Sequence, residues 1–158
     1  MIEQKQYMQE ANTEAQYNLK NREGGPFGAV IVKNGKIIGR GHNRVLKKHD
    51  PTAHGEIEAI RDACQALGTH DLSGCEIYTS CYPCPMCLSA IIWANIKHVY
   101  YGNTAKDAAA IGFRDDYIYQ FIESKQSNKD ILELIQIDRE STIKTFEEFQ
   151  KDTEKELY

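Results

Sequence analysis

"CEIYTSCYPCPMCLSAIIWANIKHVYYG", residues 75–102, reads as strand, helix, strand. "CEIYTS" (75–80) is short, apolar and β-branched enough for a strand. "CPMCLSAIIWANI" (84–96) has the length and apolar density of a buried helix, entered through Pro83 and Pro85. "KHVYYG" (97–102) is the next strand. Upstream, a helix beginning near Ala53 carries Ile57, Ile60, Ala63, Cys64 and Leu67 and stops at Gly68. Asp50 or Thr52 can cap it, with Pro51 in its first turn. Before that, "AVIVKNGKIIGRGHN" (29–43) holds two apolar runs joined by Asn34-Gly35, a strong hairpin signal. Residues 2–20 form an amphipathic helix that "NREGGPFG" (21–28) breaks, and "RVLKKHDP" (44–51) is a loop. Downstream, 104–112 and 114–123 are predicted helices, "DILELIQID" (130–138) a last strand, and 141–158 a terminal helix and tail. Strands alternating with helices predict an α/β fold around a mixed sheet of about five strands, in a single domain over 1–158.

The chain has 158 residues, enough for a core without disulfide staples. Apolar residues make up 41% and charged residues 27%, the balance of an ordinary globular domain. No apolar run approaches the roughly 18 residues of a membrane span. The N-terminus lacks an apolar signal core, which points to a cytoplasmic chain. The net charge is −4, and the one compact basic run is "RVLKKH" (44–49), which weighs against a nucleic-acid partner. Five cysteines, an odd count without an export signal, favour metal or catalytic use over a disulfide framework.

Cys84 and Cys87 sit three apart at a predicted helix start, so both sulfurs can reach one point. A helix N-terminus favours thiolate, the form that binds metal, and two thiolates suit Zn²⁺. His54, also near a helix start, offers a third ligand. Three protein ligands is the number a catalytic zinc uses. Glu56 is then free for proton transfer, although i and i+2 on a helix point about 200° apart, so it must approach from the side. Each feature has a plain alternative: an incidental C-x-x-C, a surface histidine. Together, H-x-E followed 27 residues after Glu56 by P-C-x-x-C is the signature of zinc nucleobase deaminases. Cys81 is predicted to be buried or to line the pocket, and Cys64 and Cys75 to pack in the core.

The chain resembles the cytidine deaminase-like zinc deaminases. "GGPFGAVIV", "GHN", "DPTAHGEIEAI", "YTSCYPCPMC" and "AIIWA" match in order. "DAAAIGFRDDYIY" (107–119) and the aromatic Tyr158 at the end are similar to small bacterial guanine deaminases. The resemblance implies a three-layer α/β/α sandwich, one Zn²⁺ per subunit on His54, Cys84 and Cys87, and hydrolytic deamination of guanine to xanthine with Glu56 moving protons. It implies that Asn43 bonds the purine edge, Phe27 stacks on the base, Gly55 offers a backbone N–H, and Asp115 assists proton transfer or binds the purine amino group. It also implies a homodimer in which 141–158 crosses to the partner and Trp93, Asp115 and Tyr158 complete a neighbouring site. Two departures stand out: Gly55 where alanine is usual, and Tyr82 where glutamate often precedes the P-C pair. Two other readings remain: deamination of another base (tRNA adenosine, cytosine or a related heterocycle), and a zinc-stabilised binding domain without turnover. Acidic residues outweigh basic ones in the last dozen positions, against tRNA.

Overall fold

The computed structural model describes residues 2–158. The chain runs α1 (Ile2–Asn21), β1 (Gly28–Lys33), β2 (Lys36–His42), α2 (Val45–Lys48), α3 (Gly55–Leu67), β3 (Cys75–Cys81), α4 (Pro85–Trp93), β4 (His98–Asn103), α5 (Ala105–Ala110), α6 (Asp115–Glu123) and α7 (Arg139–Lys151). It forms two compact units, one ending at Tyr119 and the other Gln120–Tyr158.

The first unit contains the sheet, ordered β2-β1-β3-β4. β1 is antiparallel to both its neighbours, and β3 is parallel to β4 across the α4 crossover. Asn34 and Gly35 both take positive φ, 49° and 76°, the backbone of the tight turn that joins β1 to β2. Strand alternation divides β1 between two apolar layers. Ala29 and Ile31 pack with Ala59, Ala63 and Ile91 of α3 and α4. Val30 and Val32 pack on the other face with Ala11 of α1 and with Tyr78, and Tyr7 and Met8 lie against that cluster. The result is the expected three-layer α/β/α arrangement. α3 lies unusually close to β2 because Gly41 presents no side chain: a Cβ there would stand 2.4 Å from the Ala59 nitrogen and the Gly55 carbonyl oxygen. Gly28 serves α1 in the same way, 2.4 Å from Ala11 O and Ala15 N.

The sheet has four strands among the described residues, not about five. Residues 130–138, predicted as the last strand, are irregular, and Leu132, Leu134, Ile135 and Ile137 are exposed. Local bonds win there: Asn128 accepts from the Asp130 amide through its side chain and from Ile131 through its carbonyl. The segment 44–51 is not all loop, since α2 occupies its centre. α3 begins two residues later than predicted, at Gly55. Asp50 instead closes a turn, accepting from the Thr52 amide and hydroxyl at 2.8 and 2.6 Å. Gly68 ends α3 in the left-handed conformation (φ 67°), as its position predicts.

In the second unit, α7 is capped by Asp138, whose carboxylate accepts from the Ser141 amide. Its apolar side chains Phe146 and Phe149 are exposed, as are Leu157 and Tyr158 beyond it.

Candidate metal centre

Two helix starts meet at the site. His54 is the N-cap residue of α3 and Cys84 that of α4, with Pro85 at the first helical position. Neither side chain caps its own helix. Both turn toward each other, and Cys87, one turn into α4, joins them. The sulfurs of Cys84 and Cys87 each lie 3.5 Å from His54 Nδ1. All three donor atoms fall within 4.8 Å of one another. Ligands on a tetrahedral zinc, with Zn–S near 2.3 Å and Zn–N near 2.0 Å, stand about 3.5 Å apart, so the donor set fits that ion. It is the one His/Cys/Asp/Glu group of this kind among the described residues.

The electrostatics favour a cation. The Cys84 thiol is held down at about 4, first by the hydrogen bond from the Cys87 side chain, with His54 adding to it against the opposing effect of burial. The Cys87 thiol is pushed up by the bond it makes to the Cys84 sulfur and by burial. The bond between Cys84 and His54 raises the imidazole. A divalent ion bound to these three donors would take the place of the protons they share.

Glu56 follows at the second helical position of α3, 6% exposed. Burial pushes its carboxyl up to about 7, against a hydrogen bond with the Cys87 side chain that lowers it. The i, i+2 separation from His54 is resolved because His54 has extended backbone (φ −70°, ψ 161°) rather than helical. His54 and Glu56 thus both face one pocket of about 460 Å³, a size suited to a small ligand. Phe27, Asn43, Cys84, Tyr82 and Asp115 also line it.

Of the remaining expected residues, Asn43 is buried, and its Oδ1 accepts from the Val45 amide at 3.1 Å. That bond leaves the amide NH₂ as the group available to the pocket. Phe27 meets Phe113 edge-on, with ring centroids 4.7 Å apart. Gly55 is buried behind the site, and a Cβ there would stand 3.1 Å from Gly28 Cα and 3.2 Å from Phe27 O. Asp115 opens α6, and burial raises its carboxyl above the usual carboxylate range. Trp93 ends α4, eight residues or about 12 Å along the helix from Pro85, and is exposed. Tyr158 belongs to the second unit and is exposed. Cys81, at the end of β3, is buried beside the pocket and bonds Thr104 O; burial pushes its thiol up to about 12. Cys75 is buried in the core, and Cys64 packs against it.

The sequence reading did not single out Phe113 and Arg114, which also line the pocket. Nor did it single out Tyr119, whose hydroxyl donates to Pro83 O at 2.6 Å and ties the start of α6, residues 115–119, to the entry of the cysteine helix. Asp115 and Tyr119 are i, i+4 on α6, so they share the face turned to the site; that spacing was the available signal.

Comparison with known proteins bears on this arrangement. Residues 1–103 match the family model described as the cytidine and deoxycytidylate deaminase zinc-binding region. The guanine deaminase of Bacillus subtilis (strain 168) is 54% identical over 108 residues, covering 68% of this chain and 69% of that protein. An X-ray structure of guanine deaminase from Bacillus subtilis superposes with a TM-score of 0.89 at 41% identity, covering 98% of both chains. A tRNA-specific adenosine deaminase of Agrobacterium fabrum (strain C58) is 43% identical over 102 residues, covering 65% of this chain and 66% of its own length. His54, Cys84 and Cys87 all lie within the matched residues, and the chain belongs to the zinc-binding cytidine and deoxycytidylate deaminase family.

Proposed function

We propose that this protein is a zinc-dependent hydrolase converting guanine and water to xanthine and ammonia. The observation that carries the substrate is the reach of the structural likeness. It runs through 98% of the chain with a guanine deaminase at a TM-score of 0.89, whereas a solved tRNA:A34 deaminase superposes on 63% of the chain at a TM-score of 0.61. The acidic C-terminal dozen supports a free base over tRNA in the same direction.

His54 Nδ1 and the sulfurs of Cys84 and Cys87 hold one zinc per subunit. When bound, zinc lowers the pKa of a coordinated water from 15.7 toward about 7. Glu56 takes a proton from the attacking water and gives it to a ring nitrogen next to C2; it then takes the remaining proton of the hydroxyl now on C2 and gives it to the amino group, which leaves as ammonia as the C2 carbonyl forms. Burial suits Glu56 to both halves of that cycle by bringing its carboxyl near neutrality. Phe27 stacks on the base, the Asn43 NH₂ donates to an acceptor on the purine edge, and the Gly55 N–H adds a second donor. Asp115, itself raised by burial, assists the proton traffic at the amino group.

The working form in this reading is a cytoplasmic homodimer of single deaminase domains. Residues 141–158 cross between subunits, and Trp93 and Tyr158 close a neighbour's pocket. The exposure of Trp93, Tyr158 and the apolar face of α7 supports it.

Ammonia release from guanine, cytosine, adenine, and tRNA by zinc-loaded protein tests the assignment. We expect turnover of guanine alone at a high rate. Turnover of another base with none of guanine would replace the substrate, and no turnover of any would favour a binding domain.

A further inference from the structure

Asn18 on α1 is a buried polar residue, 5% exposed, that the chemistry above does not use. Its side chain makes three hydrogen bonds, all to the main chain of the two loops that flank the pocket. Nδ2 donates to Gly25 O at 2.8 Å and to Asn43 O at 2.7 Å, while Oδ1 accepts from the Glu23 amide at 3.2 Å. Gly25 and Asn43 both line the pocket. The same two segments are tied further: the Asn43 amide donates to Phe27 O at 3.0 Å, and the Leu46 and Lys47 amides donate to Glu23 O at 3.0 and 2.9 Å. One carboxamide therefore bridges the loop carrying Phe27 and the loop carrying Asn43. A buried network with every member satisfied holds a single geometry.

We propose that Asn18 is a positioning residue for substrate recognition: it fixes the Asn43 backbone so that the Asn43 NH₂ meets the purine edge in register with Phe27. The proposal rests on Asn43 and Phe27 contacting the base, as in the reading above. Gly24 shows how tight the register is, since a Cβ there would fall 1.9 Å from Asn43 Oδ1. Without Asn18, the Asn43 carbonyl and the Glu23 amide lose this partner, the Gly25 carbonyl keeps only its bond from the Phe27 amide, and the two loops are left joined by their main-chain bonds alone, free to shift against each other.

The test is a double-mutant cycle with Asn43→Ala, run on whichever base the wild-type panel shows to be turned over, so that a wrong substrate assignment leaves it intact. For Asn18→Ala we expect zinc content unchanged and kcat/KM lower by roughly 10- to 100-fold, the scale of ångström-level misplacement. Most of that loss should lie in KM. N18A in the N43A background should then cost less than about 3-fold, because both act through one contact. Independent losses that multiply, or an unchanged KM in N18A, would overturn the proposal. Hydrogen exchange gives a readout without activity: amides of 23–27 and 43–47 should exchange faster in N18A while those of β3 do not change. Uniform acceleration across the first unit would make Asn18 merely structural. Should N18A not accumulate as folded protein, Asn18→Ser, which keeps one donor, carries the same measurements.

Discussion

Glu56 shows how one carboxyl acquires a function from its surroundings. Burial disfavours its charged form, so the group sits near neutrality instead of near the ordinary carboxylate value. We expect Glu56→Gln to retain near-stoichiometric zinc by metal analysis and to lose at least about 10²-fold in kcat, the lower range for acid–base catalysis. His54→Ala and Cys84→Ala should each lose both zinc and turnover, and full metal retention in either would remove it from the ligand set. A second carboxyl, Glu23, behaves oppositely. The hydrogen bond from His42 holds it below its ordinary value of 4.5. Its contribution to stability is therefore complete above about pH 4.5 and is lost as the pH falls through the lower folded value. Comparing Tm of wild type and Glu23→Gln from about pH 5 to about pH 3, we expect the gap between them to narrow toward acid. The chemistry of His54, Glu56, Cys84 and Cys87 was legible because ligand types recurred at helix-start spacings. Asn18 was not legible: its partners are main-chain groups of Glu23, Gly25 and Asn43, and a backbone carbonyl leaves no mark on residue type.

At the scale of elements, the strand–helix–strand of β3, α4 and β4 could be read from apolar density and the two prolines, and the β1–β2 hairpin from Asn34-Gly35. Boundaries near the site could not. α3 starts at Gly55 because His54 stays extended to face the two sulfurs, and metal-site geometry overrides the capping pattern of Asp50 and Thr52. Residues 130–138 carry a strand-like pattern of apolar side chains, but a strand exists only with a partner, and pairing is not a local property. The seating of α3 on β2 is an element-level dependence that can be measured. We expect Gly41→Ala, whose Cβ would strike backbone atoms of α3, to cost about 1–3 kcal/mol as overpacking does, lowering Tm by roughly 3–10 °C. Because those atoms include Gly55 O, next to His54, zinc affinity should fall with it. A folded G41A with unchanged Tm and zinc content would show that α3 is free to move away.

For the molecule as a whole, the question is how many chains make one working site. Light scattering should give a species near twice the 18.0 kDa chain mass. If Tyr158 serves a neighbour, Glu56→Gln and Tyr158→Ala are defects in different parts of one shared pocket. Unfolding and refolding the two inactive variants together should regenerate activity in mixed dimers, since each contains one pocket with both residues intact. Recovery no better than either variant alone would confine every site to its own chain. The bare main-chain contacts at Gly28, Gly41 and Gly55 carry a final consequence. There α1, β1, β2 and α3 are gauged against one another by peptide atoms, whose dimensions do not vary from one amino acid to the next. Drift in the greasy interior of this lineage can thus shorten or lengthen the life of the fold while the reaction keeps its calibration.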